Sequence, residues 1–243
     1  MFKKKKKCSG VEEKSFKGRT FIKGQAQTKN IITQRYNEKN VYNQTEVTNI
    51  IVESSFVDVY VYASDKADKV TVNLYGCVKI DGKINYNLSL QSSILRIFLD
   101  YSGFCNYNDD EFKFEITVPK KLFNKISVRT SSNNIFMNDV IASRITGRSV
   151  LGNILISSSS DYLSLSSETG KITCSLTPIS NEIVADVSTI SGNISVKFNK
   201  VTQLHITADA NIRDKIKNIF IPADHANEAF FDVTTESGEI NIS

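Results

Sequence analysis

The sequence predicts an all-β protein built as a solenoid of stacked short strands, and its composition and two recurring patterns support this. Of its 243 residues, 28 are Ile, 19 Val and 17 Thr, against 10 Ala and 12 Leu. β-branched side chains pack well on a pleated sheet and lose χ1 freedom in a helix, so a helical bundle is excluded. Many segments alternate apolar and polar residues, and in the second half a turn recurs roughly every 20 residues. A hydrophobic content of 40% with a net charge of +4 excludes a disordered chain.

Residues 1–40 are strongly basic, and we expect them to form a disordered N-terminal arm. They contain ten Lys, two Arg and three Glu, which is a net charge of +9, so the remainder carries −5. An anionic membrane surface attracts nearby lysines by about 1 kcal/mol each. The simpler interpretation is a solvated arm that aids solubility, and we do not expect nucleic acid as a partner. The residues that could contact an anionic surface are Lys3, Lys4, Lys5, Lys6 and Lys7.

The basic start is not followed by the apolar segment that a secretory signal needs, and no run of 18 apolar residues could cross a bilayer. We therefore expect a cytoplasmic protein, peripheral at the inner membrane face if the arm binds there. The cysteines lack the spacing of a zinc site, and both histidines lie far from them in sequence, so we expect reduced thiols. These cysteines are Cys8, Cys77, Cys105 and Cys174.

Residues 41–243 are predicted to form one β-repeat domain, less regular over 44–119 and regular over 120–243. In the first part, segments such as 57–63 and 112–118 alternate apolar and polar residues, as half-buried strands do. Asp81-Gly82 predicts a hairpin between the strands on either side. Pro119 is expected to end its strand because it cannot donate to a sheet ladder.

The regular part repeats a Ser/Thr-rich stretch, a turn, and an isoleucine that opens a strand. Gly and Asn tolerate the positive φ that a tight reversal requires. We therefore identify the structural residues of the turns as Asn134, Gly152, Gly170, Gly192 and Gly238. The turns read Asn133-Asn134-Ile135, Gly152-Asn153-Ile154, Gly170-Lys171-Ile172, Gly192-Asn193-Ile194, Ala210-Asn211-Ile212 and Gly238-Glu239-Ile240.

Two strands this short are not stable alone, so the units must stack and share one thin aliphatic core. We expect a β-solenoid, or flattened two-sheet stack, and keep an ordinary β-sandwich as the alternative. The last predicted strand ends at Ile242-Ser243 without a cap. An uncapped strand edge pairs readily with another chain, so we expect copies of the protein to associate through that end.

We predict no enzyme and no catalytic, cofactor-binding or metal-binding residue. A nucleophilic triad would need His205 or His225, which we interpret as solvated. Asp186 and Asp209 could form the carboxylate pair of a polysaccharide-active enzyme, but outward carboxylates on a solenoid mostly aid solubility. The run 109–111, Asp-Asp-Glu, lacks the spaced oxygen ligands of a calcium loop.

Five segments of the chain resemble a bacterial family of proposed adhesins, a β-strand-repeat domain with repeated Ser-Gly-Asp-Ile turns. They are Ile51–Val59, Phe114–Pro119, Thr130–Ser132, Ser191–Ile194 and Ser237–Ile240, and the resemblance covers roughly residues 44–243. It implies a repetitive β scaffold that binds or assembles, with no catalytic residues.

We therefore predict a non-enzymatic, adhesin-like scaffold for binding or assembly, whose protein or surface partner the sequence does not name. One alternative is a self-assembling, cytoskeletal-type scaffold recruited to an anionic membrane by the arm. A polysaccharide-active β-helix enzyme is a less favoured alternative.

Overall fold

The computed structural model describes the backbone of residues 16–20, 27–102, 105–201, 203–207, 216–217 and 228–243. Side chains are described for residues 33–102, 112–201 and 228–243, and for 203, 205 and 206.

The described residues form nineteen β-strands and no helix, and therefore no helix that could span a bilayer. The strands are β1 (Phe16–Thr20), β2 (Gln27–Asn43), β3 (Asn49–Ser54), β4 (Val59–Ser64), β5 (Lys69–Ile80), β6 (Lys83–Gln91), β7 (Ile94–Ser102), β8 (Cys105–Pro119), β9 (Leu122–Thr130), β10 (Ile135–Ser149), β11 (Ile154–Ser159), β12 (Tyr162–Ser167), β13 (Ile172–Thr177), β14 (Glu182–Ser191), β15 (Ile194–Phe198), β16 (Gln203–Thr207), β17 (Ile216–Lys217), β18 (Glu228–Ser237) and β19 (Ile240–Ile242).

The strands form two ladders whose buried faces meet in one core, which we call the first and second sheets. The first sheet has the order β6-β7-β3-β9-β10-β12-β14-β18-β16. The second has the order β1-β2-β5-β8-β4-β10-β11-β13-β15-β19-β17. Pairing is parallel except for β6 with β7 and for β1, β2, β5 and β8 among themselves. This architecture confirms the predicted β-solenoid-like stack and excludes the sandwich.

Strand β10 belongs to both sheets. Its first part pairs with β4 in the second sheet, and its residues from Ile141 onward pair with β9 in the first. The pairing with β11 shifts between Asn138 and Val140, and Asp139 between them has a φ of 56°. Each coil after β10 instead contributes one separate strand to each sheet, joined by a turn.

The core is aliphatic because each parallel pair places like residues side by side. In the second sheet, the β-branched aliphatic residue that follows each turn forms one column along the stack, and every member is buried. Burying one such side chain stabilises the fold by roughly 1.5–3 kcal/mol. The column is Val59, Ile135, Ile154, Ile172, Ile194 and Ile240.

The turn glycines are required because the backbones of successive turns approach each other closely. We predicted a positive φ as the reason for these glycines, and this reason is wrong at Gly152, Gly170 and Gly192. Among the described glycines, only Gly76 and Gly238 have a positive φ. A Cβ on Gly170 would lie 2.0 Å from the carbonyl oxygen of Gly152, and one on Gly192 would lie 2.3 Å from that of Gly170. No side chain fits at Gly152, Gly170 or Gly192.

A column of buried hydroxyls holds these turns in place, one hydroxyl three residues before each turn glycine. The Oγ of Ser167 accepts a hydrogen bond from the N–H of Gly170 (2.9 Å) and donates to the carbonyl oxygen of Gly152 (3.0 Å). The Oγ of Ser149 accepts from the N–H of Gly152 (2.8 Å) and donates to the carbonyl oxygen of Asn133 (3.1 Å). These bonds explain the Ser/Thr-rich stretches before the turns. The same register position holds buried Ser54, Thr130, Thr189 and Thr235 in other coils.

Asparagine at the residue before the strand-opening isoleucine links several coils to the next, at Asn134, Asn153 and Asn193. The side-chain oxygen of Asn134 accepts from the N–H of Asn153 (2.8 Å), and that of Asn153 accepts from the N–H of Lys171 (2.8 Å). Buried Asp58 begins this series by accepting from the N–H of Asn134 (2.7 Å). Asn134 does not have a positive φ, so its role is hydrogen bonding between coils.

The order of the coils in space differs from their order in the chain at both ends of the stack. Strand β3 lies between β7 and β9, and β4 lies between β8 and β10. At the other end, β18 lies between β14 and β16, and β19 lies between β15 and β17. The strand that ends at Ile242 is therefore internal, and our prediction that it forms the open end of the stack is wrong. Among the described strands, β16 and β17 are the last at that end.

The inserted coil adds the turn at Gly238 to the stack, with β19 between β15 and β17. Gly238 follows Gly192 directly in the glycine column, and Ile240 pairs with Ile216. We had given the next position to Ile212, but residues 210–212 lie outside the described part of the chain.

Antiparallel strands cover the other end of the stack. The predicted boundary at residue 40 lies inside β2, which pairs with β5 from Ile32 to Asn43, so strand structure begins before it.

The hairpin that we predicted at Asp81-Gly82 is wrong, because β5 and β6 do not pair and this turn carries the chain from one sheet to the other. The hairpin lies between β6 and β7, at Ser92-Ser93, which have φ values of 48° and 62°. Strand β8 ends at Pro119, as predicted.

The cysteines differ from one another. Cys77 is disulfide-bonded, so our prediction of reduced thiols is wrong there, because sequence spacing does not show which sulfurs folding brings together. Its partner sulfur, Cys8 and Cys105 lie outside the described side chains. Cys174 is a free thiol in the core, as predicted, and burial raises its pKa to about 12.

The glycine column predicts a large effect of a single methyl group. Gly170→Ala should lower the free energy of unfolding by about 2–4 kcal/mol, since the new Cβ would collide with backbone that has no other position to take. Thr169→Ala, an exposed change in the same turn, should cost less than about 0.5 kcal/mol. Chemical denaturation measures both, and equal stabilities of the two variants would contradict the close-packed turn.

The inserted last coil predicts an order of amide exchange. Peptides from β18 should be as protected from hydrogen–deuterium exchange as those from β14, because both strands have neighbours on two sides. Peptides from β16 should exchange first. Mass spectrometry of native exchange measures this order, and faster exchange in β18 than in β16 would mean that the coils follow chain order.

Candidate functional site

The site residues predicted from the sequence are structural or lie outside the described part of the chain. Gly152, Gly170, Gly192 and Gly238 line up in the turns that enter the second sheet, and Asn134 lies one position later in its turn, level with Asn153. The lysines at 3–7 lie outside the described residues, as do residue 209 and the side chains of 109–111 and 225.

Two groups of titratable side chains lie on the outer face of the first sheet, at His205 with Glu228 and at Asp186 with Asp232. His205 stacks on Phe230 with ring centroids 4.8 Å apart, and its Nε2 lies 3.6 Å from a carboxylate oxygen of Glu228. Asp186 pairs in register with Asp232; partial burial, and to a lesser degree the charge of Asp232, raises the pKa of Asp186. In the described part of the chain, no group of three or more His, Cys, Asp or Glu residues could hold a metal ion.

A groove of about 490 Å³ runs over the outer face of the second sheet, across β4, β10, β11, β13 and β15. Alternate residues of a strand point to opposite faces, so outward residues of neighbouring strands form columns along the stack. One column is Tyr60, Phe136, Leu155, Thr173 and Ser195, and the next is Tyr62, Asn138, Ser157, Ser175 and Lys197. We call this surface the outer groove.

The end of the outer groove at β4 and β10 is aromatic. The rings of Tyr60 and Phe136 stack with centroids 4.7 Å apart and planes 8° apart. The Nζ of Lys113 lies 5.2 Å from the centroid of Tyr60. Leu155 on the next strand is 48% exposed, and it extends the apolar surface. Large apolar side chains that remain in water are candidates for contact with a ligand.

A neutral phenol lies beside this aromatic end. Burial, and then a hydrogen bond with Glu115, raise the pKa of Tyr75 above its ordinary value, and the nearby Tyr60 and Tyr62 contribute less. Tyr75 therefore stays protonated at physiological pH, and its hydroxyl donates to the Glu115 carboxylate beside the outer groove.

The end of the outer groove at β13 and β15 is polar. It presents Thr173, Ser175 and Ser195 hydroxyls and the Lys197 ammonium group. The amide of Asn199 donates a hydrogen bond to the Oγ of Ser175 (2.9 Å), which orients that hydroxyl. An apolar, aromatic end joined to a row of hydroxyls is suited to an extended ligand with both apolar and hydroxyl surfaces.

The lining of the outer groove contains no carboxylate and no histidine. Glycoside hydrolysis by most enzymes needs two carboxylates on either side of the bond that is cleaved. The outer groove can hold a ligand but lacks the acid and base groups for this reaction.

Sequence reasoning did not identify the outer groove. Tyr60 and Tyr62 were recognised only as outward residues of an alternating strand, and Phe136 follows the turn isoleucine at a position that is polar or aliphatic elsewhere. The available signal was that aromatic residues replace polar ones at outward positions.

Comparison with known proteins gives a family and several solved structures. Residues 40–243 match the family model described as Toastrack DUF4097. No curated protein matches the chain. One similar structure is a proposed cell adhesion protein from Clostridium sporogenes, with 11% identity, covering 86% of this chain and 99% of that one, with a TM-score of 0.45. Another is a proposed adhesin from Bacteroides fragilis, with 12% identity, 86% and 97% coverage and a TM-score of 0.34.

The family match covers the described coils from β3 to β19, and it confirms that the repeated turns belong to a β-strand-repeat family. With the match extending over residues 40–243, the chain belongs to the Toastrack DUF4097 family.

Proposed function

We propose that this chain is a non-enzymatic, adhesin-like binding scaffold and that the outer groove binds a neutral glycan. The observation that carries the proposal is the stacked pair of Tyr60 and Phe136 at the head of a row of hydroxyls. A sugar ring has an apolar face of C–H groups and a rim of hydroxyls, so it matches both parts of this surface.

The dimensions of the outer groove support an extended ligand. It crosses five neighbouring strands, and strands lie about 4.8 Å apart, so it is about 19 Å long. Its side chains belong to a rigid stack, in which hydrogen bonds between coils hold each strand in register. A ligand therefore meets a preformed surface and does not have to order a loop.

The other proposals from the sequence concern different parts of the chain. Self-association through the end of the stack stays a proposal and would now involve β16 and β17. Attraction of the arm to an anionic membrane also stays a proposal. The disulfide at Cys77 supports an oxidising compartment, where such bonds persist, rather than the cytoplasm that we expected.

The aromatic pair provides a test of glycan binding. We expect full-length protein to bind members of a panel of neutral oligosaccharides, and Phe136→Ala and Tyr60→Ala each to weaken that binding by roughly 2- to 10-fold. The reason is that a stacking contact with an aromatic ring contributes about 0.5–1.5 kcal/mol. Titration calorimetry with the best oligosaccharide of the panel measures the effect.

Phe98→Ala is the matched control, because Phe98 is an exposed aromatic residue on the first sheet. It should leave glycan affinity unchanged, and all three variants should keep the melting temperature within a few degrees. The proposal fails if no neutral glycan binds, or if Phe98→Ala weakens binding as much as Phe136→Ala does. Binding of peptides alone would assign the outer groove to a protein partner instead.

A further inference from the structure

The outer face of the first sheet carries a cluster of cations on β9 and β10. Lys125 pairs in register with Arg144, and Arg129 pairs with Arg148. All four are at outward positions, and the three arginines are exposed. We call Lys125, Arg129, Arg144 and Arg148 the basic patch.

The members of the basic patch form no close ion pair in the described part of the chain. Among the described residues, the pairs of opposite charge within 4.0 Å are Lys120 with Asp65 and His205 with Glu228, so no member of the patch has such a partner there. Glu53 pairs in register with Arg129 but forms no such contact. Like charges on adjacent strands repel, so the patch costs the fold some stability. An anion bound there would remove that repulsion.

The layout of the basic patch suits a linear ligand that runs parallel to β9 and β10. Cations on one strand are four residues apart, which is about 13 Å, and cations on the two strands are about 4.8 Å apart. Between the two cation pairs lie Ser127 and Thr146, whose hydroxyls are hydrogen-bonded to each other at 2.7 Å. Two positive ends with hydroxyls between them match anionic groups separated by hydroxyl-bearing units.

We propose that the basic patch binds a linear anionic polysaccharide, on the face opposite the outer groove. Hydroxyls continue beside the patch on the next strands, at Ser164, Ser166 and Ser188, and can pair with those of a sugar chain. The guanidinium group of Arg144 lies over the ring of Tyr162, 4.4 Å from its centroid. This contact fixes the position of the charge and covers the ring, so the ring is not free to stack on a nucleic-acid base.

The charge of the remaining face disfavours a flat membrane as the ligand. Asp186 and Asp232 are exposed on the same face, two and three strands from β10. That distance is about 10–15 Å, close to the Debye length at physiological salt. An anionic bilayer that touched the basic patch would therefore meet both carboxylates, whereas a single polymer chain need not.

The test uses full-length protein and a fluorescein-labelled heparin oligosaccharide, with affinity measured by fluorescence anisotropy at about 50 mM and about 300 mM NaCl. We expect the affinity for heparin to fall as the salt concentration rises. At the lower salt concentration, the double variant Arg129→Ser/Arg148→Ser should reduce this affinity at least about tenfold. Serine occupies the corresponding outward position on β12 and β14, so the sheet accepts it there. The melting temperature of each variant checks its fold.

Two further variants and two competing ligands make the outcome specific. Lys79→Ser/Lys83→Ser removes the same charge from exposed sites elsewhere and should change affinity less than about twofold. Replacing Lys3 to Lys7 with alanine should leave the effect of the patch variant intact. The proposal is overturned if the patch variant binds like the wild type, if the control pair loses as much, or if the arm variant abolishes binding. Tighter patch-dependent binding of duplex DNA or of vesicles containing phosphatidylserine would also overturn it. If the patch variant loses heparin binding but still binds the neutral glycan, the basic patch and the outer groove are separate sites.

Discussion

Successive coils of the stack lie one strand spacing apart, and at the glycine turns into the second sheet this spacing leaves no volume for a Cβ. Gly152, Gly170 and Gly192 satisfy this constraint by having no side chain. Backbone groups packed so closely must find hydrogen-bond partners, because a buried polar group without one costs about 1–3 kcal/mol. The hydroxyl column and the asparagine series supply these partners, as at Ser167 and Asn153.

These turn contacts also set the register of everything that follows them along each strand. With Ile154 level with Ile172, alternate side chains on one face form the core. Side chains on the other face form the columns of the outer groove. A slip by one residue would exchange the two faces, burying Leu155 and exposing Ile154. The same constraint therefore determines both the core and the binding surface.

Much of this fold follows from local sequence, because alternation decides which face of a strand is buried and the turn residues recur at regular spacing. The order of the coils does not follow from it. Each coil offers the same kind of aliphatic face, so nothing local to β18 shows that it pairs with β14 rather than lying beyond β16. The Ser92-Ser93 hairpin was missed because serine rarely adopts the positive φ values of such a turn, whereas Asp81-Gly82 has the preferred residues in a different role.

The surfaces that we assign to ligands were harder to predict than the core, because they depend on contacts across strands. Tyr60 and Phe136 lie far apart in the chain and stack only because β4 and β10 are neighbours. Net charge was also a poor guide. Outside the arm the chain carries an excess of negative charge, yet β9 and β10 place four cations side by side.

Strand β10 has a mechanical consequence, since it passes from one sheet to the other without a break. Its first part carries Phe136 in the outer groove, and its second part carries Arg144 and Arg148 on the opposite side. If ligands on the two sides were pulled apart, the load would pass along covalent backbone through the bend at Asp139. A tether of this kind would transmit tension without first peeling neighbouring strands from each other.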